Sequence, residues 1–360
     1  MANKAQEIII PEQGVFRIVF LYVGQGDSAI LVIPDGSDFR YVLLDNNIDK
    51  SAGGIDTVKL LNDLLDSKKI VFMNTHPHKD HTEGIEEIHN KVGVEEVWHS
   101  GHVPGKNHDD AYQEMKRVIK KIGSDNEYKF FGTNDLNKVR QSDGETQVIK
   151  KLGDIDFQVL SPAEYLCDEI SEQDGDKRYR RIHEHCAVIK FTYGNPAKSV
   201  LMTGDADRVA WEDHILEYHK DSVSAEVLSA VHHGSRTFFK LPNNDDDVYE
   251  THIETIAPNE LIVSAPTQKE SGHDHPHDDA MKLYKKHVDE DNIFHLGEKR
   301  ESMIVDIYSD GNYDIYSDDD ELATEYGFGN EPDDNSEGGK RVAPAIIGAG
   351  TSTLDNKPMG

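Results

Sequence analysis

The chain alternates apolar runs with polar turns in a short, irregular rhythm. Residues 15–23 are almost continuously apolar, and the turn Gly24-Gln25-Gly26-Asp27 ends them. A second run covers 29–33 and reaches Pro34-Asp35-Gly36; a third covers 40–44 and ends on Asp45. Strands this close, joined by glycine and aspartate turns, predict an antiparallel meander. Ile55, Val58, Leu61 and Leu65 then recur at helical spacing, which predicts an amphipathic helix. The apolar run Ile70-Val71-Phe72-Met73 follows as a buried strand.

Further on, the pattern predicts helices over 82–91 and 111–121 and strands over 94–98, 146–152 and 155–160. Strands return at 187–193 and 199–202, a helix at 208–218, and strands at 225–231 and 261–264. A helix over 280–287 and a hairpin, 303–308 with 313–316 around Asp310-Gly311-Asn312, complete the series. Strands interleaved with amphipathic helices, without a strict βαβ rhythm, fit an α/β (α+β) fold of two packed mixed sheets covered by helices. That domain is expected to occupy 1–320. From about Glu321 the composition turns acidic and glycine-rich ahead of Val342-Ala343-Pro344-Ala345-Ile346-Ile347, so 321–360 reads as a flexible tail or a peptide that docks a protein partner.

Composition narrows the setting. Acidic residues outnumber basic ones 68 to 38, a formal charge of -30, which opposes a broad electrostatic grip on nucleic acid or anionic membrane while leaving room for a locally basic cleft. Two cysteines, Cys167 and Cys186, make no disulfide framework and point to a reducing compartment. The N-terminus lacks the layout of a signal peptide, and no apolar segment approaches the roughly 20 residues that span a bilayer. The expectation is a soluble cytoplasmic protein without membrane contact.

Candidate chemistry gathers after the strand at 70–73, in Asn74-Thr75-His76-Pro77-His78-Lys79-Asp80-His81. A strand ending in such a cluster delivers several metal ligands to one point. His76 and His78, two apart in an extended loop, can grip one ion, and Asp80 and His81 a second nearby. More candidates follow at strand edges: His183 and His185 before 187–193, Asp205 after 199–202, His232 and His233 after 225–231, and His273, His275 and His277 after 261–264.

Thr75 to His81 followed by Thr203-Gly204-Asp205 resembles the metallo-β-lactamase superfamily. Val23-Gly24-Gln25-Gly26-Asp27-Ser28, His232-His233-Gly234-Ser235 and His275-Pro276-His277 look like the soluble nuclease-type domain of the competence protein ComEC, over about Phe16 to Tyr316. ComEC carries membrane helices and this chain has none, so a role in DNA uptake is not carried over. The resemblance implies a four-layer αββα sandwich with two divalent ions, zinc or alternatively manganese, at the shared edge of its sheets. His76, His78 and one of His183/His185 would hold the first ion, with His185 preferred because it immediately precedes the strand. Asp80, His81 and a late histidine, preferably His275, would hold the second, and Asp205 would bridge. The histidines before Ala187 depart from the ComEC-like pattern, which tends to an Asn/Ser motif there.

Such a site implies hydrolysis by a hydroxide bridging the metals, with Asp80, His232 and His233 as catalytic residues and one of the two histidines protonating the leaving oxygen. Asp45 and Asp27 are candidates for orienting ligand imidazoles from behind. Arg178, Tyr179, Arg180 and Arg181, with Arg236 and Lys106, could form a phosphate-binding lip on which Tyr179 stacks a base. The expected function is a dinuclear metal-dependent phosphodiesterase, a nuclease on DNA or RNA. The alternatives are a hydrolase of a small phosphoester, lactone or thioester, and a partner-binding subunit whose metal site is regulatory or idle.

Overall fold

A computed structural model describes residues 3–104, 110–241, 244 and 246–329. In chain order its strands are β1 (Val15–Phe20), β2 (Ala29–Asp35), β3 (Asp38–Leu44), β4 (Ile70–Asn74), β5 (Val94–His99), β6 (Glu127–Lys129), β7 (Lys138–Gln141) and β8 (Gln147–Ile149). They continue as β9 (Asp156–Ser161), β10 (Val188–Tyr193), β11 (Lys198–Met202), β12 (Val227–Ser229), β13 (Glu260–Val263), β14 (Ile293–His295), β15 (Met303–Tyr308) and β16 (Tyr313–Ser317). One sheet runs β16-β15-β1-β2-β3-β4-β5-β6-β7-β8 and the other β14-β13-β12-β11-β10-β9. Both are mixed. In the first, β3 to β6 are parallel between antiparallel flanks; in the second, β11 to β14 are parallel and β9 to β11 antiparallel.

The two-residue period of the strands sorts their side chains into layers. From the first sheet Phe16, Ile18, Leu31, Val71 and Met73 meet Phe157, Val159, Ile189, Phe191, Val200 and Val227 of the second, in one buried core between the sheets. Their neighbours Val19, Ile30, Val32, Leu43, Ile70 and Phe72 turn the other way, onto Leu61 and Leu64 of the helix Thr57–Leu65, Ile85 and Ile88 of Ile85–Lys91, and Met115 and Val118 of Asp110–Ile122. On the far side of the second sheet Val188, Leu201, Leu228 and Leu261 pack under Trp211, Ile215, Ile253 and Tyr284. Helix, sheet, sheet, helix is the expected four-layer α/β architecture. No helix among the described residues is long and apolar enough to cross a membrane.

Two departures from the pattern reading have clear causes. β6 and β7 are short and carry Glu127, Lys129, Lys138 and Arg140, so no apolar alternation marks them; pairing with β5 and β8 forms them. Residues 321–329, placed with the tail by composition, include the helix Glu321–Tyr326, whose Leu322 and Tyr326 are buried against the first sheet's helices. The remainder of the expected tail, 330–360, lies outside the described residues, as does Lys106. Leu322→Ala should therefore cost about 2–5 kcal/mol of folding stability, read by denaturant unfolding, where a tail residue would cost nothing measurable.

Candidate metal centre

β4 is buried along its whole length and ends on Asn74, and the chain then turns through Thr75 to His81. His76 and His81 are fully buried, and His78 and Asp80 are partly exposed. Asp45, at the end of β3, sits behind this loop. It accepts from the Thr75 N–H at 2.7 Å, the Thr75 hydroxyl at 2.6 Å, the Asn74 amide at 3.1 Å and His81 Nδ1 at 2.8 Å. With Nδ1 donating to Asp45, His81 presents Nε2 to the site as a lone pair, an orientation shell typical of ligand imidazoles. The Asp27 expectation rested on the same logic, and its Gly-Gln-Gly turn has a steric reason. A Cβ on Gly26, whose φ is +136°, would lie 2.3 Å from the Asp80 carbonyl oxygen, so only glycine lets the two loops touch.

The second sheet supplies the other half. β11 ends at Met202, and Thr203-Gly204 carries Asp205 inward; a side chain on Gly204 would meet Thr75 Oγ1 at 2.7 Å and Cys186 Sγ at 2.8 Å. After β12, His232 and His233 both adopt left-handed backbone (φ 50° and 54°) ahead of Gly234 at φ 78°. Two successive left-handed non-glycine residues cost about 1–3 kcal/mol each, and here they turn both imidazoles toward Asp205.

Donor atoms converge in two groups that share Asp205. In the first, His76 Nε2 lies 3.0 Å from His78 Nδ1 and 3.5 Å from Asp205 Oδ2, while His183 Nε2 lies 3.4 Å and 3.6 Å from the same two atoms. Ligands about 2.0–2.1 Å from a tetrahedral zinc stand about 3.3–3.4 Å apart, which these spacings bracket. In the second group His81 Nε2 is 3.2 Å from both Asp205 Oδ1 and His233 Nε2, and His233 Nε2 is 3.4 Å from Asp205 Oδ1. His233 donates Nδ1 to the Ser264 carbonyl at 2.9 Å, so its Nε2 also faces inward as a lone pair. Asp205 Oδ1 is buried without a hydrogen-bond partner. Although burial opposes charging, Asp205 draws positive charge onto this group, raising His81 as well as His233 above the ordinary imidazole range, so the donor set fits a cation that would take the place of those protons.

Electrostatics point the same way. Burial, then the neighbouring His81, lowers His76 to about 3, and burial also lowers His183, which keeps both in the neutral form that can donate to a metal. At His233 burial opposes charging, but Asp205 and Asp27 outweigh it and raise the imidazole to about 9. Burial works against the Asp205 carboxylate as well, yet His232, His81 and His233 hold it well below the usual range. The second group attracts positive charge strongly.

Several expected residues are placed differently. His183, not the preferred His185, reaches the first group. His185 is buried with its Nδ1 3.1 Å from His102 Nδ1, on the other side of the 181–187 turn. The position expected for His275 is filled by His233. His275 stacks behind, 5.2 Å from the His232 ring and 6.0 Å from that of His233. Its loop is held by His277, whose N–H donates to the Gly234 carbonyl and whose Nδ1 accepts from the Arg236 N–H; His273 is exposed. His232 stands beside the centre, Nε2 3.5 Å from Asp205 Oδ2 and Nδ1 3.2 Å from the Thr237 hydroxyl. Cys186 is a fully buried thiol just before β10.

Two carboxylates compete for the second group. Asp27 lies with it within 4.8 Å, but its closest approaches, 3.6 Å to His233 and 3.9 Å to His81, are to the Nδ1 atoms already engaged with Ser264 and Asp45. Asp80 Oδ2 lies 3.6 Å from His233 Nε2, on the side of the converging lone pairs, and is the better-directed donor.

Among the described residues the expected arginines do not line up as a basic lip at the centre. Residues 177–181 are not a loop: the helix Gly175–Arg180 runs through them. Arg178 donates to the Val103 and Gln173 carbonyls, Arg181 pairs with Glu184 and Glu169, Arg180 points to solvent, and Arg236 lies 3.7 Å from Asp279. Only Tyr179 reaches the centre, its ring 5.4 Å from that of His78. His102 was missed altogether; as a single histidine in Ser100-Gly101-His102 it carries no local signal.

Asp45→Asn tests the shell behind the loop. It keeps the volume but replaces an acceptor of His81 Nδ1–H with an amide, and should weaken metal binding about 10–100-fold in a chelator competition.

No protein-family profile matches the chain, and no curated protein matches it by sequence. Among solved structures it is similar to the metallo-β-lactamase fold protein YhfI from Bacillus subtilis, at 12% identity over 78% of this chain and 95% of that one, TM-score 0.41. It is also similar to Igni18, a metallo hydrolase from the archaeon Ignicoccus hospitalis, at 12% identity over 84% and 98% of the two chains, TM-score 0.38.

Proposed function

We propose that this chain is a dinuclear metal-dependent phosphodiesterase. The observation that carries the reading is Asp205, whose two oxygens face two separate histidine groups. His76, His78, His183 and Asp205 would hold one ion, and His81, His233, Asp205 and Asp80 the other; the histidine-rich donor set suits zinc, with manganese as the substitute. When bound, such a pair supplies an activated water and an electrophile for a phosphoryl oxygen. Asp45 holds the His81 ring and its tautomer; burial lowers His232 to about 3, so this neutral imidazole, held by Thr237, would hydrogen-bond a phosphoryl oxygen at the centre.

The order of motifs supports a nuclease acting on DNA or RNA. The commitment of Arg178 and Arg181 to internal partners, and the overall charge of -30, favour instead a small phosphoester as the second reading. Purified protein incubated with labelled single- and double-stranded DNA and RNA, a generic phosphodiester and a thioester tests both. Chelator-sensitive turnover of a phosphodiester is the expected result; turnover of the thioester alone overturns the proposal.

A further inference from the structure

Beside the first donor group lies a cavity of about 430 Å³ with His78 as its inner wall. It falls within the roughly 300–1,000 Å³ typical of small-molecule sites. Its other walls are Tyr179, Lys79, Glu83, Asp110, Ala111 and Glu114. A group attached to a phosphoryl at the centre and extending past His78 would enter this cavity.

The charge in the cavity is unusual for a phosphoesterase. Among the described residues that line it, three carboxylates accompany one ammonium, and that ammonium, Lys79, lies 3.3 Å from Glu83 and is largely in solvent. The bases nearest on the helix Asp110–Ile122 are already used: Arg117 and Lys121 both pair with Glu86. Glu114 also feels the charge of Arg117, whose guanidinium is paired with Glu86. It is partly buried, and the Gly84 N–H is its hydrogen-bond donor. A phosphate chain entering here would meet net negative charge. A cation would find carboxylates and the aromatic ring of Tyr179 among the walls, a pairing that recognises ammonium groups.

We propose that this cavity is the specificity pocket of the centre and takes the ammonium group of a small phosphoester, an amino- or trimethylammonio-alkyl ester, with Glu114 and Tyr179 as its determinants. This rests on the phosphodiesterase reading above. In the reaction, water adds to phosphorus, the P–O bond to the ester alcohol breaks, and that alcohol leaves with a proton. Its ammonium group keeps its charge throughout.

The test uses two probes that differ in charge alone, phosphocholine and its uncharged isostere 3,3-dimethylbutyl phosphate, titrated into the metal-loaded full chain by calorimetry. Phosphocholine should bind at least about tenfold more tightly, from a desolvated cation–aromatic contact with nearby carboxylates. Glu114→Gln and Tyr179→Leu should each shrink the ratio of the two dissociation constants toward unity; if Glu114→Gln does not fold, Tyr179→Leu decides. Equal binding of the two probes to the wild-type chain, or tighter binding of the uncharged one, overturns the pocket. The p-nitrophenyl esters of both probes are then assayed for turnover. Failure of both esters with the binding preference intact would remove the phosphodiesterase reading and leave the pocket standing.

Discussion

If the chain is the dinuclear phosphodiesterase proposed, Asp205→Asn is expected to lower phosphodiester turnover about a thousand-fold or more and to deplete metal from both donor groups, because a carboxylate shared by two ions would contribute several kcal/mol. The substitution preserves shape but turns one carboxylate oxygen into an NH₂ and removes a full charge. Whichever oxygen is lost, one group goes without it: Oδ2 faces His76 and His183, Oδ1 faces His81 and His233. Among the described residues no other carboxylate lies between the two groups, since Asp27 and Asp80 both approach the second. Elemental analysis of the purified variant, with circular dichroism to confirm folding, reads the result. Wild-type metal content and rate in the variant would mean that Asp205 is a structural carboxylate.

The second large effect separates two histidines only two residues apart. His183→Ala should weaken binding at the first group more than a hundred-fold, since loss even of an outer partner costs about 10–100-fold. His185→Ala should leave metal content intact and instead cost about 1–3 kcal/mol of stability, because it removes a buried ring packed against His102. Metal titration and denaturant unfolding of the pair give opposite patterns for the two variants. Metal loss from His185→Ala, with His183→Ala silent, would restore the preference drawn from the sequence.

That contrast shows what the sequence could and could not display. His76, His78, Asp80 and His81 were legible because they sit on one loop directly after an apolar strand, so their convergence is local. Asp205 was legible from its strand and its company. The choice between His183 and His185 was not, because the hydrogen bonds His185 N–H to Ile182 O and Cys186 N–H to His183 O close a turn there, so nearness to the strand does not decide which side chain faces the centre. Within a turn the two side chains part, one to the centre and one to His102. His233 displaced His275 for a similar reason: two successive left-handed residues are a backbone choice that residue types alone do not announce. The arginines misled because a run of like charges looks free until its distant partners, Glu169 and Val103 among them, are known. For the fold, the layers followed from apolar periodicity, whereas β6 and β7 owe their existence to neighbours and carry no pattern of their own.

The donors come from both sheets, and this has a consequence for how the protein is made. The loop after β4 leaves the ribosome early with His76, His78 and His81, but its three partners at 183, 205 and 233 emerge only around β10, β11 and β12. Until then a nascent chain offers an ion a half-formed clasp, and binding that requires the folded site cannot yet contribute its free energy. On the proposed reading, metal capture would be a late step in biogenesis, coupled to docking of the second sheet on the first. Chains arrested before residue 233 should stay sensitive to protease with zinc present, and longer ones should gain protection when it is added.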